Sequence, residues 1–310
     1  MFLLGHYDVS SCRDVPQKGL TVKLRSRVAA AVAASALALA LAPAASASTE
    51  AASPKPVTHL HGFHLAVGAR LPRTVLPHLP RNATDVSQNW SGYAAVANAN
   101  VALRYITSTF TVPSVNCAKV AIGSAGQTYA AEWVGLDGFN DSTVEQTGVD
   151  SFCDSASGAA TSQAWYEMYP LDPVVFTGVS PGDVIWVSVY FNSSTNEYQL
   201  FLDDKTTGST MQTDQPCPNG SACDRTSAEV ISEDPGGAVA GGINLADFGT
   251  VAYSTSDVTS RNGTHGTLAA AKLWTSTEIV MQDPSGNDMA TPSALTDAGA
   301  DFSIAWKRGT

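Results

Sequence analysis

Four short runs of this chain set polar side chains inside stretches that otherwise read as apolar strand. They are Trp133-Val134-Gly135-Leu136-Asp137, Glu145-Gln146-Thr147-Gly148-Val149-Asp150, Ala164-Trp165-Tyr166-Glu167-Met168-Tyr169 and Ser227-Ala228-Glu229-Val230-Ile231-Ser232-Glu233-Asp234. An amide or carboxyl taken out of water without a partner costs roughly 1–3 kcal/mol, so several in succession point to a lined groove rather than a plain core. The groups on offer are carboxylates, a carboxamide and tryptophans. A carboxylate can take a proton from water, and an uncharged amide can both accept and donate a hydrogen bond.

Strand alternation shows which of these side chains can share a groove, because successive residues point to opposite faces. Gln163, Trp165, Glu167 and Tyr169 lie on one face, with Ala164, Tyr166 and Met168 on the other. Trp133, Gly135 and Asp137 form a second such set, Val144, Gln146 and Gly148 a third, and Glu229, Ile231 and Glu233 a fourth. Each residue also has a plainer reading: Trp133 and Trp165 as core aromatics, Glu167 and Glu229 as solvated acids, Gln146 as a partner for nearby backbone.

The elements that must position them are strands. β-branched and aromatic runs recur at Gly92–Ala97, Tyr105–Val112, Glu132–Leu136, Gln163–Tyr169, Val184–Phe191, Tyr198–Leu202, Ala228–Glu233, Val251–Ser254, Ala269–Trp274, Glu278–Gln282 and Phe302–Trp306. Between them lie turn clusters such as Ser180-Pro181-Gly182-Asp183, Asn262-Gly263 and Pro284-Ser285-Gly286-Asn287, the chemistry of antiparallel connections. No amphipathic helical period competes. The fold class expected is all-β, one sandwich or barrel without an internal linker.

In their order and spacing the four polar runs resemble the glutamic peptidases (eqolisins), from about Asn89 to the C-terminus. The resemblance implies an antiparallel two-sheet β-sandwich of the concanavalin-like jelly-roll type with a groove on its concave face. It implies an endopeptidase acting on polypeptides at acid pH without a cofactor. Gln146 falls on the family's catalytic glutamine and Glu233, the second acid of Ala228-Glu229-x-x-x-Glu233, on its catalytic glutamate. Trp90 in Asn89-Trp90-Ser91-Gly92-Tyr93, together with Trp133, Asp137, Trp165, Glu167, Tyr169 and Glu229, would line the substrate. The chain departs from the family at Val230, where an aromatic is expected, and after Glu233, where Asp234-Pro235-Gly236-Gly237 follows.

The N-terminal region reads as targeting and leader sequence. Lys23, Arg25 and Arg27 precede an apolar run from Val28 to Ala42, then Pro43 and Ala45-Ser46-Ala47, the pattern of a secretory signal peptide with an Ala-x-Ala cleavage site. Residues 1–47 are read as that signal, with Met1–Thr21 a spurious extension before a true start at Val22. The apolar run falls short of the roughly 20 residues that span a bilayer, so a secreted, extracellular, unanchored monomer is expected. Residues 1–85 carry nine Lys/Arg and four Asp/Glu, and residues 86–310 eight and twenty-four, giving +5 and −16. So acidic a domain repels nucleic acid, which needs a basic footprint. Residues 48–88 hold Lys55, Arg70, Arg73, Arg81 and four histidines, and are read as a propeptide or a linker, the domain proper spanning residues 89–310.

Beyond the signal four cysteines remain, Cys117, Cys153, Cys217 and Cys223, an even number in an oxidising compartment. Three pairings are open. Cys217–Cys223 closes a short loop, leaving Cys117–Cys153 to tie neighbouring strands. A zinc site is not expected, since Cys-x5-Cys is not usual ligand spacing and His265 is the domain's single histidine. That same scarcity disfavours Ser-His-Asp and Cys-His catalysis, and paired Asp-Thr/Ser-Gly loops are missing. The rivals are a jelly-roll glycoside hydrolase using Glu167 and Glu233, with Trp133 and Trp165 stacking on sugar, and a carbohydrate-binding module. Neither accounts for Gln146-Thr147-Gly148.

Overall fold

The computed structural model describes residues 84–119, 128–153, 157–237, 244–269 and 272–309. The expected signal peptide and nearly all of the leader lie outside these. Strands are numbered in chain order. One layer runs β7 (Val174–Phe176), β6 (Ala160–Tyr169), β5 (Val144–Cys153), β4 (Thr128–Leu136), β11 (Ser227–Glu233), β2 (Trp90–Ala97) and β15 (Trp274–Gln282), all neighbours antiparallel. The other runs β17 (Phe302–Trp306), β13 (Thr250–Ser260), β3 (Leu103–Thr111), β8 (Val184–Asn192), β9 (Glu197–Asp204) and β10 (Ser209–Pro216), also antiparallel. β16 (Asp288–Pro292) pairs with both β15 and β17 and so joins the layers. Two short strands add in parallel, β1 (Asp85–Ser87) on β15 and β12 (Asn244–Leu245) on β4. The result is an antiparallel two-sheet β-sandwich, as the resemblance implies; turn chemistry and alternation alone leave a barrel open.

β9 shows how the sequence makes it: Tyr198, Leu200, Leu202 and Asp204 are buried while Glu197, Gln199, Phe201 and Asp203 are partly exposed. Each fully buried Leu or Ile contributes about 1.5–3 kcal/mol, and a one-residue slip would turn the whole set outward. β4 and β11 instead are buried throughout, the mark of strands covered on both faces.

Two apolar clusters result. The larger fills the space between the layers, drawing Val134, Leu136, Ala164, Met168, Ala228 and Val230 from one and Ile106, Phe110, Val187, Leu200 and Tyr253 from the other. The smaller lies on the opposite face of the first layer and contains Trp90, Trp133, Phe139, Val144, Trp165, Ile231 and Ile279. Every tryptophan expected in the groove is in it, and Tyr169 packs against it.

Strand limits differ from expectation at several points. Of the expected strand Ala269–Trp274, residues 270 and 271 lie outside the described residues and Ala269, Lys272 and Leu273 lie in turns or bends; β15 begins at Trp274 and continues through the expected Glu278–Gln282. β10, β16 and β7 were not anticipated, their sequences being polar, short or interrupted by Pro. Asp85–Ser87, placed with the leader by the sequence, forms β1 against Ile279–Met281.

Cys117–Cys153 and Cys217–Cys223 are both formed. Cys153 ends β5, but Cys117 lies in the loop after β3 rather than on a neighbouring strand, so the first bridge ties a loop to a strand. His265 is exposed and lies 3.5 Å from Asp257.

Candidate active site

On the face carrying the smaller cluster, register alone assembles the polar residues. Gln146 stands opposite Gly135 on one side and Glu167 on the other, and Glu229 stands opposite the same Gly135 from β11. One step along, Trp133 is flanked by Ile231 and Gly148, and Gly148 by Trp165. A further step brings Glu233 between Trp90 and Ala131. Gln146, Glu167, Glu229, Glu233, Trp90, Trp133 and Trp165 are all buried. Glu167 and Glu229 are therefore not solvated acids.

The glycines make room for this row. A Cβ on Gly148 would sit 2.1 Å from the Glu132 carbonyl oxygen and 2.6 Å from Trp133 Cβ, and one on Gly135 would sit 2.9 Å from the Trp133 ring and 3.2 Å from Gln146 Cβ. Trp133 also meets Trp90 edge to face, ring centres 4.9 Å apart, a geometry aromatic pairs favour.

The hydrogen bonds give the two central side chains different roles. Trp133 Nε1 donates to Glu233 Oε2 at 2.8 Å, and Asn89 Nδ2 approaches Glu233 Oε1 at 3.5 Å. Gln146 Nε2 donates to Glu167 Oε2 at 2.6 Å, while Gln146 Oε1 is buried with no hydrogen-bond partner among the described residues. Behind Gln146, Thr147 Oγ1 donates to the Trp165 carbonyl at 2.8 Å and pins β5 to β6. Gln163 Nε2 donates to Asp150 Oδ2 at 3.1 Å farther along the same face.

Asp137 stands apart from the row that alternation predicts for it. β4 ends at Leu136, and Asp137 takes a left-handed conformation, φ 69°, which breaks the alternation. Its carboxylate accepts the backbone N–H groups of Arg225 at 2.8 Å and Thr226 at 2.7 Å. Asp141 completes the clasp, accepting from Gly138 N at 2.6 Å and Thr226 Oγ1 at 2.7 Å. Burial first, and then the Asp141 charge, push Asp137 up to about 8, against the pull of the two backbone N–H groups. Glu145, on the opposite face from Gln146, lies beside Asp137 and is raised well above the usual range, chiefly by burial and then by the Asp137 charge. Asp137 thus belongs to a loop-holding acid cluster. Asp234, just past Glu233, is also buried and raised, by burial first and with Glu233 adding, although the Gly236 N–H opposes it.

Sequence reasoning missed three contributors. Phe139 joins the aromatic face from a loop whose Asp-Gly-Phe-Asn sequence reads as turn. Asn89 backs onto Glu233 and Ser87 holds Asn89; the only sequence signal was Asn89 beside Trp90.

Comparison with known proteins accords with the fold and gives the family. The Peptidase A4 family profile matches residues 88–304, and the chain belongs to that family, the glutamic peptidases. It is 32% identical over 201 residues to aspergillopepsin-2 from Aspergillus niger, covering 59% of this chain and 68% of that one. It is 33% identical over 152 residues to scytalidopepsin B from Scytalidium lignicola, covering 48% of this chain and about half, 52%, of that one. Among solved structures, scytalido-glutamic peptidase with a peptide-based transition-state analogue superposes with a TM-score of 0.55 at 24% identity, over 71% of this chain and 98% of that one, a likeness of fold. The protein is a glutamic endopeptidase.

Proposed function

We propose that this chain is an exported, acid-active endopeptidase in which Glu233 and Gln146 form the catalytic pair. The supporting observation is the contrast in their hydrogen bonds. Glu233 is approached by an N–H at each oxygen, two contacts that favour a carboxylate over its acid. Gln146 gives one N–H to Glu167 and retains a second N–H and an unpartnered Oε1.

In the reaction, Gln146 Oε1 accepts from a water whose other proton passes to Glu233 as the water oxygen attacks the scissile carbonyl carbon. The carbonyl π pair moves onto oxygen, and the free Gln146 N–H donates to that oxyanion. Collapse re-forms the C=O and breaks the C–N bond, and protonated Glu233 gives its proton to the leaving amine. An acid and an amine result, with no covalent enzyme intermediate. The neutral amide avoids the like-charge conflict of two carboxylates. Trp90, Trp133, Trp165, Tyr169, Glu167 and Glu229 would form the substrate-facing surround, and Asp137 would act through the loop.

Acid activity follows from the carboxylates sharing this face, Glu167, Glu229 and Asp150 beside Glu233: partial protonation spares an incoming peptide their combined charge. Export rests on the signal-peptide pattern, and residues 48 to about 85 are proposed as an inhibitory leader, the processed domain keeping Ser87 and Asn89. The processed protein, given an unfolded protein and a β-glucan at about pH 3.5, below the usual carboxylate range, should cleave only the former. Cleavage should resist pepstatin-type inhibitors, chelators and serine or cysteine reagents. Sugar release would overturn the proposal.

A further inference from the structure

Glu233 is backed by a pair of buried polar residues, Ser87 and Asn89, whose hydrogen bonds permit one arrangement. Ser87 Oγ accepts the backbone N–H of Asn89 at 3.3 Å and of Trp90 at 3.0 Å. A hydroxyl has two acceptor lone pairs and one hydrogen, so its O–H is all that remains, and it goes to Asn89 Oδ1 at 3.0 Å. The two ends of an amide are otherwise nearly interchangeable. Here a flip would put the amide N–H groups against a hydroxyl with no lone pair left. Nδ2 is therefore the end that faces Glu233 Oε1, at 3.5 Å.

The backbone keeps it there. Asn89 O accepts the Asp234 N–H at 2.8 Å, and Trp90 lies opposite Glu233 in register. The second oxygen of Glu233 meets the Trp133 indole N–H, a donor that cannot accept. A proton on Glu233 thus finds no acceptor on either of these neighbours and must project away from both.

We propose that Asn89, locked by Ser87, is a positioning residue for Glu233: it holds the general base ionised into the acid range and directs its proton away from the protein side. This rests on Glu233 being the general base. The titratable groups around Glu233 are Asp234 next in the chain, Glu229 on the same face of β11, and Asp150 and Glu167 across β4. Glu132 on β4 and Glu278 on β15 alternate to the other face, where they lie near Tyr253 and Tyr93. All of these carboxyls raise the proton affinity of Glu233 when ionised, and Asn89 opposes them.

The test is the pH profile of kcat/KM for the processed protein and four variants. Asn89→Ala should move the acid limb upward by about 0.5–1 pH unit, so that activity one unit below the wild-type limb falls roughly three- to tenfold. Asn89→Asp should move it further, since two facing carboxyls share a proton. Ser87→Ala, which frees the amide to turn, should shift the limb the same way, and Ser87→Thr, which keeps the hydroxyl, should restore it. An unshifted limb in folded Asn89→Ala and Ser87→Ala overturns the inference. Should Asn89→Ala not fold, the Ser87→Ala and Ser87→Thr pair decides it on the same readout. Glu233→Gln, measured alongside, separates the two levels: retained proteolysis overturns the catalytic pair itself. Lost proteolysis with unshifted limbs overturns only the role of Asn89.

Discussion

Gln146 and Glu167 meet across the β5–β6 pair with Nε2 2.6 Å from Oε2, so the amide proposed to face a developing oxyanion is held by a carboxylate on the neighbouring strand. One N–H is thereby fixed and the direction of the other follows. Removing Gln146 removes the donor; removing the Glu167 charge only loosens it. Gln146→Ala and Glu233→Gln should each lower kcat by about 10²–10⁴ or more without unfolding the domain, whereas Glu167→Gln should cost less. Near-normal turnover in Gln146→Ala, measured on an unfolded protein substrate, would sink the assignment.

Gly148 is the narrowest point of the site. Any Cβ there meets the Glu132 carbonyl and the Trp133 backbone, neither of which can swing aside as a flexible side chain would. Gly148→Ala should destabilise by about 1–3 kcal/mol, the range for overpacking, and should lower activity by displacing the indole that donates to Glu233. Thermal melts and kcat/KM together check it; a melt within one degree or so of wild type would contradict the geometry.

Much of this was legible in the sequence because strand period and face burial coincide. Gln163, Trp165, Glu167 and Tyr169 fall on one face simply by counting in twos. Asp137 shows where counting stops: it sits one residue past the strand in a left-handed turn, and nothing in Gly-Leu-Asp-Gly says where the period ends. Asn89 was illegible for another reason. Its partners Glu233 and Asp234 are distant in sequence, and only the β2–β11 pairing brings them together, with Ser87 reaching them only through Asn89.

The two disulfides differ in the chain they close. Cys117 and Cys153 are 36 residues apart and Cys217 and Cys223 only 6, so loop-closure entropy assigns about 3.8 kcal/mol to the first and about 2.4 to the second. Replacing each pair by Ala and measuring unfolding in denaturant should show the larger loss for Cys117/Cys153. Non-reducing peptide maps should show these two bridges; a Cys117–Cys217 peptide would refute the pairing.

Asp137, Glu145 and Asp234 carry raised pKa values, so the folded state holds their protons more tightly than the unfolded chain, whose carboxyls titrate near 4. Their stabilisation is fully present below that pH and is lost as pH rises, for Asp137 through about 8. The domain should be more stable in acid than at neutral pH. Glu145→Gln, which imitates the neutral acid, should flatten the fall. Urea midpoints at about pH 4 and about pH 8 give the comparison, and a wild type more stable at the higher pH would overturn this account.

Residue 84 leads directly into β1, which lies beside β15 in the layer that bears the site. The proposed leader carries Lys55, Arg70, Arg73 and Arg81, and the rest of the chain from residue 86 has a formal charge of −16, although Asp137, Glu145 and Asp234 contribute little while neutral. Attraction therefore depends on the exposed carboxylates, and should fade as pH falls through about 4, the usual carboxylate range. Histidines in the leader charge below about 6.5 and at first strengthen the contact, which places release nearer pH 4 than pH 6. Salt should weaken binding at neutral pH, because exposed pairs are screened over about 8–10 Å. Residues 48 to about 85 supplied as a separate peptide should inhibit the processed domain at about pH 6 and lose that effect at about pH 3.5. Equal inhibition at both, or none at either, would leave the segment a linker.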